Sequence, residues 1–511
     1  MALSSKETVM DATVSPYSES NIEESSNHDL EIKDSKMATH VHMGTKKILP
    51  LILNISLPSV LSYCFLTLYA TVDSSFIGQF EGVVALSGIS AYLILEELFS
   101  MVFQSFAIVT ASIISHSLGA NKKYDAHRAF TYNLALNVVF SLIIIAIQLP
   151  FLDSLLLSIG VTSSALPITR PYAIIVSIGN IGYGIIFALE NAFRAENSPW
   201  MALLLQIIST CMNMTLDFVF MKICRMGTAG AALSTLISQF VPGIIFLIFF
   251  IRKSSPVTET KISLSTLKCD AIDWSVFSKI LWVGLGYFLL MANAFVAGIL
   301  MNQNVKKWAT NDEEMDIWIG ALGVFWRLYV FVYFPCMGFS SGFLPIASYN
   351  KGKGRYDRVF TVLWECIVIT AVVAIILSSF CLIFTVPIVG LFNDDPEFRA
   401  ITEEVTRWGF YPLFGMSFIL MPIACYTFEH NTFAEIFLGI VNAIPMFVFV
   451  YVCPMWTQSV DGFKYVWGVS MGMVAVIGLP ITIYKMISYS RYAKKMQPEI
   501  IECDDDTSID V

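Results

Sequence analysis

The sequence predicts an all-α membrane protein: twelve transmembrane helices in two six-helix lobes related by a pseudo-twofold axis along the membrane normal. Three observations carry this. Of 511 residues, 56% are hydrophobic and only 14% charged, where soluble domains have roughly a quarter charged, so most of the surface must face lipid. The runs Leu134–Leu149, Ile237–Ile251 and Ile367–Pro387 are nearly free of charge, and about twenty apolar residues cross a bilayer as one helix, whereas a membrane β-barrel would show short alternating segments. Finally, the chain echoes itself. Ser115-His-Ser-Leu-Gly-Ala-Asn-Lys-Lys-Tyr-Asp125 and Ser348-Tyr-Asn-Lys-Gly-Lys-Gly-Arg-Tyr-Asp357 are both basic, contain glycine and end in a basic residue, Tyr and Asp, 232 positions apart.

Taken in order, apolar runs bounded by turn signals place spans at about 50–75, 84–114, 129–150, 168–192, 199–221, 227–251, 276–302, 315–346, 358–387, 402–427, 433–455 and 464–487. Residues 1–45 are polar, Ser-rich and acidic and read as a disordered cytoplasmic tail with no apolar signal-peptide core. The first lobe is 46–252, a charged cytoplasmic linker is 253–274, the second lobe is 275–490, and 491–511 is an acidic cytoplasmic tail. The Lys and Arg residues of the loops favour the side of the termini by roughly two to one, which places both termini in the cytoplasm; the expected membrane is the plasma membrane. Six spans per half is an even number, so both halves enter from the same side and the repeats are parallel. That arrangement is known among transporters that alternate access. A weaker echo links Glu196-Asn197 with His430-Asn431.

Several function classes drop out. The ten cysteines are scattered, without CxxC or His/Cys metal spacing, and read as small apolar packing residues. No basic or aromatic platform suggests nucleic acid. A membrane enzyme would want a histidine or a Ser/His/Asp set within the bilayer, yet His116, His127 and His430 lie at inner helix ends; no enzyme is expected. The repeat disfavours a channel or receptor.

Charges inside spans cost about 2.5–3.5 kcal/mol each on insertion scales, so each calls for a partner or a purpose. The candidates are Asp73, Glu96, Glu97, Glu190, Asp217, Arg327 and Glu365. Asp73 precedes an outer turn expected at Gly78, and Asp217 stands at a similar depth before Lys222. Tyr69 and Asn213 lie four residues ahead of these aspartates, on the same helix faces. With Tyr172 and Thr235 counted down from the outside, topology places Tyr69, Asp73, Tyr172, Asn213, Asp217 and Thr235 in one layer of the outer half of the first lobe. Two carboxylates with hydroxyls and an amide can share a proton or offer oxygens to a small cation; the bland reading is that acids near helix ends are merely wetted. Glu96 and Glu97 in the second span stand at nearly the depth of Arg327 in the eighth. They either pair across the lobes or face water in a central cavity. Glu190 and Glu365 receive no role. Pro58 shares the first span with Asp73 and permits a bend there.

The residues then resemble a family. Pro58…Asp73-Ser-Ser-Phe-Ile-Gly78, Ser117-Leu-Gly-Ala-Asn, Asn213-Met-Thr-Leu-Asp217 with Gly227-Thr-Ala-Gly-Ala-Ala-Leu-Ser-Thr-Leu-Ile-Ser-Gln239, and Pro345-Ile-Ala-Ser-Tyr-Asn350 look like the multidrug and toxic compound extrusion (MATE) family, over roughly residues 50–490. The resemblance implies a V-shaped pair of lobes around a central cavity and antiport of drug-like organic cations. In the DinF-like branch it implies an ion-coupling site at Asp73, Asn213, Asp217 and Thr235, pocket-lining Tyr69 and Tyr172, and Pro58 as the bending point. One departure stands out: other branches place essential acids in the seventh and eighth helices, whose apolar portions here offer no carboxylate, only Arg327, so coupling through the second lobe is not expected.

The resulting expectation is a secondary active multidrug or organic-solute exporter working by alternating access. It is driven by entry of H+, or alternatively Na+, since the same oxygens serve both, with no cofactor. Its partners are small organic substrates and the lipid bilayer, and it acts as a monomer. The rival reading is a flippase of lipid-linked sugars from the same superfamily, which would want a strongly cationic cavity.

Overall fold

A computed structural model describes residues 42–159, 161–252, 258–267, 272–390 and 396–505. Most of the expected N-terminal tail, much of the 253–274 linker and the chain's last six residues lie outside the described residues. The spans are α1 Ile48–Gly82, α2 Val84–Gly119, α3 Lys123–Gln148, α4 Leu166–Ala195, α5 Pro199–Ile223, α6 Thr228–Ile251, α7 Trp274–Trp308, α8 Ile317–Gly352, α9 Tyr356–Ile383, α10 in two arms (Pro396–Leu413 and Ser417–Glu429), α11 Thr432–Thr457 and α12 Val460–Lys495. No strand occurs among the described residues. Eleven helices are long and apolar enough to cross a membrane alone, and the bent pair makes the twelfth span. The architecture is the expected one: twelve spans in two lobes.

Three local expectations change. The turn between the first two spans is not at Gly78. Helix continues to Gly82, whose φ of 84° and ψ of −179° alone interrupt an otherwise helical run from Ile48 to Gly119. That region of backbone space is essentially confined to glycine. The tenth span is not one helix. Its arms meet at 52° through a 3-10 segment, Tyr411–Met416, where Pro412 lacks an N–H and breaks the ladder. The last helix passes the expected boundary at 490 and runs on to Asp505, because Ala493, Lys494, Lys495 and Met496 are good helix formers; this part of the acidic tail is helical.

The repeat seen in the sequence is repeated in the turns. The loops after α4 and α10 each carry a left-handed residue, Asn197 (φ 61°) and His430 (φ 57°); those after α2 and α8 carry Asn121 (φ 58°) and Gly354 (φ 73°).

The lobes meet at one end. Met43, the N-terminal half of α1 and the C-terminal end of α2 face the C-terminal half of α8. Tyr63 stacks on Phe334 at 5.4 Å, and its hydroxyl shares a 3.3 Å hydrogen bond with Ser341. Ser112 and Ser348 share one of 3.0 Å, and Asn350 donates to the Met43 carbonyl at 3.0 Å. A Cβ added at Gly119 would collide with the Tyr349 carbonyl, and one at Gly352 with the His116 carbonyl. These bonds, with that from Arg358 to the Lys46 carbonyl, all lie on the side of Tyr63 and Phe334 that carries the N-terminal end of α1. The closed end is the one that carries the chain termini.

Candidate ion site in the first lobe

Four helices build the site. From α1, Tyr69 and Asp73 stand one turn apart; from α5, Asn213 and Asp217 do the same. Neighbouring Ser234 and Thr235 come down α6, and α4 contributes Tyr172 and Tyr183. All six residues of the layer expected from topology lie in this one lobe, and Asp73 (4% exposed), Tyr172, Asn213, Asp217 (0%) and Thr235 are buried.

Their hydrogen bonds form one chain. The Tyr69 and Tyr183 hydroxyls share a bond of 3.3 Å, and Tyr69 donates to Thr235 Oγ1 at 3.2 Å. Asn213 Nδ2 donates to Thr235 Oγ1 and to Ser234 Oγ, both at 3.4 Å. Ser234 Oγ in turn donates to Asp217 Oδ1. Asp73 stands close enough to Asp217 for one charge to act on the other and lies within similar reach of Tyr69 and Tyr172. Directly after Asp217 the helix widens into a π segment, Phe218–Ile223, a local form frequent at functional sites.

Three oxygens in this cluster have no donor: Asp73 Oδ1, Asp217 Oδ2 and Asn213 Oδ1, all buried. Buried acceptors are ordinarily paired. Two carboxylates, an amide and hydroxyls are hard oxygen donors, suited to a proton or a small hard cation. The residues present therefore fit a coupling ion.

Glu96 and Arg327 are not brought together. Glu96 (4% exposed) turns into the first lobe, where Tyr92 OH donates to its Oε2 at 3.2 Å and Asn180 Nδ2 approaches at 3.5 Å. Gln148 supports Tyr92 at 3.1 Å. Tyr92 meets Tyr172 edge-on at 6.0 Å, so Glu96 borders the aspartate layer rather than the lobe interface. Neither Glu96 nor Glu97 makes an ion pair with Arg327, and Glu97 and Arg327 are both exposed. Pro58 lies within helical torsions, with Ser62 Oγ donating to its carbonyl at 3.0 Å. Glu190, given no role from sequence, pairs with Arg194 at 3.0 Å, both buried.

Sequence reasoning missed Ser234, the sole donor to Asp217 among the described residues, and Tyr183. A signal existed for the second: Tyr183 follows Tyr172 by eleven residues, three turns on one helix face. Outside the spans, Glu196 ties the inter-lobe linker to the first lobe, accepting from the backbone N–H groups of Glu259 (2.6 Å) and Thr260 (2.9 Å). Burial pushes its carboxyl up to about 7, against the pull of those bonds.

Comparison with known proteins follows the same lines. The family model MatE matches residues 58–219 and 316–452. The multidrug export protein MepA of Staphylococcus haemolyticus (strain JCSC1435) is 25% identical over 355 residues, 70% of this chain and 76% of that protein. MepA of Staphylococcus aureus (strain MRSA252) is 25% identical over 358 residues, 69% and 75%. Among solved structures, MATE in the bent conformation superposes with a TM-score of 0.80 at 18% identity, covering 89% of this chain and 99% of that one. A MOP superfamily transporter from Pyrococcus furiosus, described as having reversed polarity of its binding pocket, gives 0.80 at 18%, covering 88% and 98%. These likenesses establish the two-lobe fold.

Proposed function

This chain belongs to the MatE family, and from that premise we propose that it is a multidrug efflux transporter that exports small organic solutes in exchange for protons, or alternatively sodium, bound at Asp73 and Asp217. The observation that carries the reading is the set of donor-less oxygens on Asp73, Asp217 and Asn213 inside one lobe. The assignment to the DinF-like branch rests on the same residues. The relatives named multidrug export proteins supply the substrate class.

The closed end faces the cytoplasm in this reading, so the state described opens outward. An ion arriving from outside neutralises the aspartate pair. Asp73 and Tyr69 belong to α1, and α1 also carries Ser56, Val60 and Tyr63, which touch α8. A change of packing around Asp73 therefore reaches the lobe contact through a single helix. Substrate entering from inside biases the same two-state equilibrium in the other direction, and coupling of this kind is reciprocal, typically 1–3 kcal/mol.

The test is export of ethidium from proteoliposomes holding the full chain, driven by an imposed proton gradient and, separately, by a sodium gradient. Export should follow one gradient and vanish in Asp217→Asn. Export that survives in the double variant Asp73→Asn/Asp217→Asn would overturn the site; export under neither gradient would overturn the function.

A further inference from the structure

The second lobe holds a carboxyl group that its neighbours leave bare. Glu435, in the first turn of α11, is 3% exposed. Among the described residues it is the one carboxylate whose two oxygens are both buried and without a hydrogen-bond partner. It is wedged between helices that come unusually close. A Cβ added at Gly286 of α7 would stand 3.2 Å from Glu435 Cβ and 3.4 Å from its Oε2, and one turn further along α11, Gly439 lies against the Leu290 backbone of α7.

The surroundings offer no compensating charge. From α7, Tyr287 lies within electrostatic reach; Lys279 is two turns nearer the helix end and acts on His430 and Lys351 instead. From α10, the Thr427 hydroxyl lies within reach of the carboxyl but donates to Ile423 O at 2.9 Å, while Glu429 is engaged by Lys485 and Tyr489. From α8, Lys351 donates to the Phe428 carbonyl at 3.2 Å, and Tyr333 to Met291 Sδ at 3.9 Å. A carboxylate so enclosed needs either a proton or a cation.

Its position gives that need a consequence. Tyr287 and Thr427, the polar groups beside Glu435, both line the pocket between the lobes, together with Arg194, Met291 and Met337. That pocket sits at the closed end, so parting the lobes there uncovers Tyr287 and Thr427 and brings water to the carboxyl behind them. The repeat adds a relation. The first lobe carries Asp73 and Asp217 on α1 and α5, and α7 and α11 are the corresponding pair six spans on. Glu435 stands near the opposite membrane face from Asp217, at the end where this state is shut.

We propose that Glu435 is a second proton-binding carboxyl, in the second lobe, that keeps its proton while the lobes are closed at the cytoplasmic end and yields it when they part and a cationic organic substrate arrives beside Tyr287. The O–H bond of the acid breaks, the proton passes to water in the opened cleft, and the carboxylate left behind faces the substrate's positive charge. The proposal rests on the alternating-access reading but not on the aspartate site.

Infrared spectroscopy of the full chain in lipid nanodiscs tests it, with Glu435→Gln as a neutral isostere. The wild type should show a neutral carboxylic-acid C=O band that Glu435→Gln lacks. The band should persist in Asp73→Asn/Asp217→Asn and should bleach, with gain of a carboxylate band, when ethidium is added. A Glu435 band already of the carboxylate type before ethidium, or a neutral band that ethidium leaves unchanged, overturns the proposal. Because the aspartate variant still carries Glu435, failure of the aspartate reading would appear separately, as retained gradient-driven export in that variant. Should Glu435→Gln fold poorly, Glu435→Asp supplies a second comparison, in which the band should shift rather than vanish.

Discussion

Tyr69 donates its hydroxyl to Thr235 Oγ1 at 3.2 Å, which ties the helix that touches the second lobe to the helix whose Ser234 donates to Asp217. Tyr69 also shares a bond with Tyr183, so Tyr69→Phe deletes two links while keeping the ring. A neutral hydrogen bond contributes about 0.5–1.5 kcal/mol. Ethidium export by Tyr69→Phe should therefore fall several-fold without being abolished, and the Asp217→Asn loss should be much larger. Equal losses in the two variants would show that the tyrosine does more than position α1.

Ser234→Ala removes the only donor to Asp217 Oδ1 among the described residues, and both oxygens of that buried carboxyl are then bare. Leaving a buried acceptor unsatisfied costs about 1–3 kcal/mol. Thermal unfolding in detergent should show a clear loss for Ser234→Ala, and Ser234→Thr, which restores a hydroxyl, should recover part of it. A melting curve like that of the wild type would mean that Asp217 is already neutralised by another group.

Much of this site could be read from sequence because depth and helix face follow from counting. Tyr69 with Asp73, and Asn213 with Asp217, are one turn apart, and the apolar runs give each helix its level. Ser234 could not be found that way, since serine is common within spans and only the meeting of α5 and α6 gives it a partner. Gly78 and Gly82 were equally available as the turn; the backbone torsions at Gly82 decide between them. Glu435 stands two residues inside an expected span and is not among the charges that depth singles out, and its burial comes from α7 packing over it through Gly286. The break in α10 had its signal in Pro412, one of many prolines in spans that stay helical, such as Pro58, Pro242 and Pro445.

Gly82→Ala should destabilise the turn between α1 and α2. The backbone there has φ 84° and ψ −179°, and a side chain held in such a region costs on the order of 1–3 kcal/mol. Apart from its chain neighbours and its own helix backbone, no described residue has an atom within 4 Å of an added Cβ, so the effect is conformational rather than a clash. A melting temperature unchanged in Gly82→Ala would mean that the turn relaxes to a different geometry.

Gly119→Leu places bulk where a Cβ alone would meet the Tyr349 carbonyl, at the closed end of the lobes. The lobes should part at that end, since α2 and α8 cannot approach as they do now. Labelling of Ser348→Cys, which faces Ser112 in the closed contact, with a membrane-impermeant thiol reagent should be slow alone and fast when combined with Gly119→Leu, in a background lacking the exposed Cys64, Cys211 and Cys224 and also Cys269 and Cys503. Equal labelling in the two backgrounds would place the closure elsewhere.

His430 turns the chain between α10 and α11 with φ 57°, and its Nδ1 is buried without a partner. Burial, with the positive charges of Lys351, His116 and Lys279 adding to it, lowers its pKa from 6.5 to about 3. The unfolded chain therefore takes up a proton near pH 6.5 that the folded loop refuses until about pH 3. The stabilisation belonging to the neutral ring is fully present above pH 6.5 and is lost as the pH falls through that window, by at most about 1.4 kcal/mol per pH unit. His430→Asn keeps a residue that tolerates the left-handed turn and has no proton to gain. Melting curves of the two proteins should run together at neutral pH and separate in acid, with the wild type falling below His430→Asn. Curves that stay parallel down to about pH 4 would show that the imidazole charges as readily in the folded loop as in water.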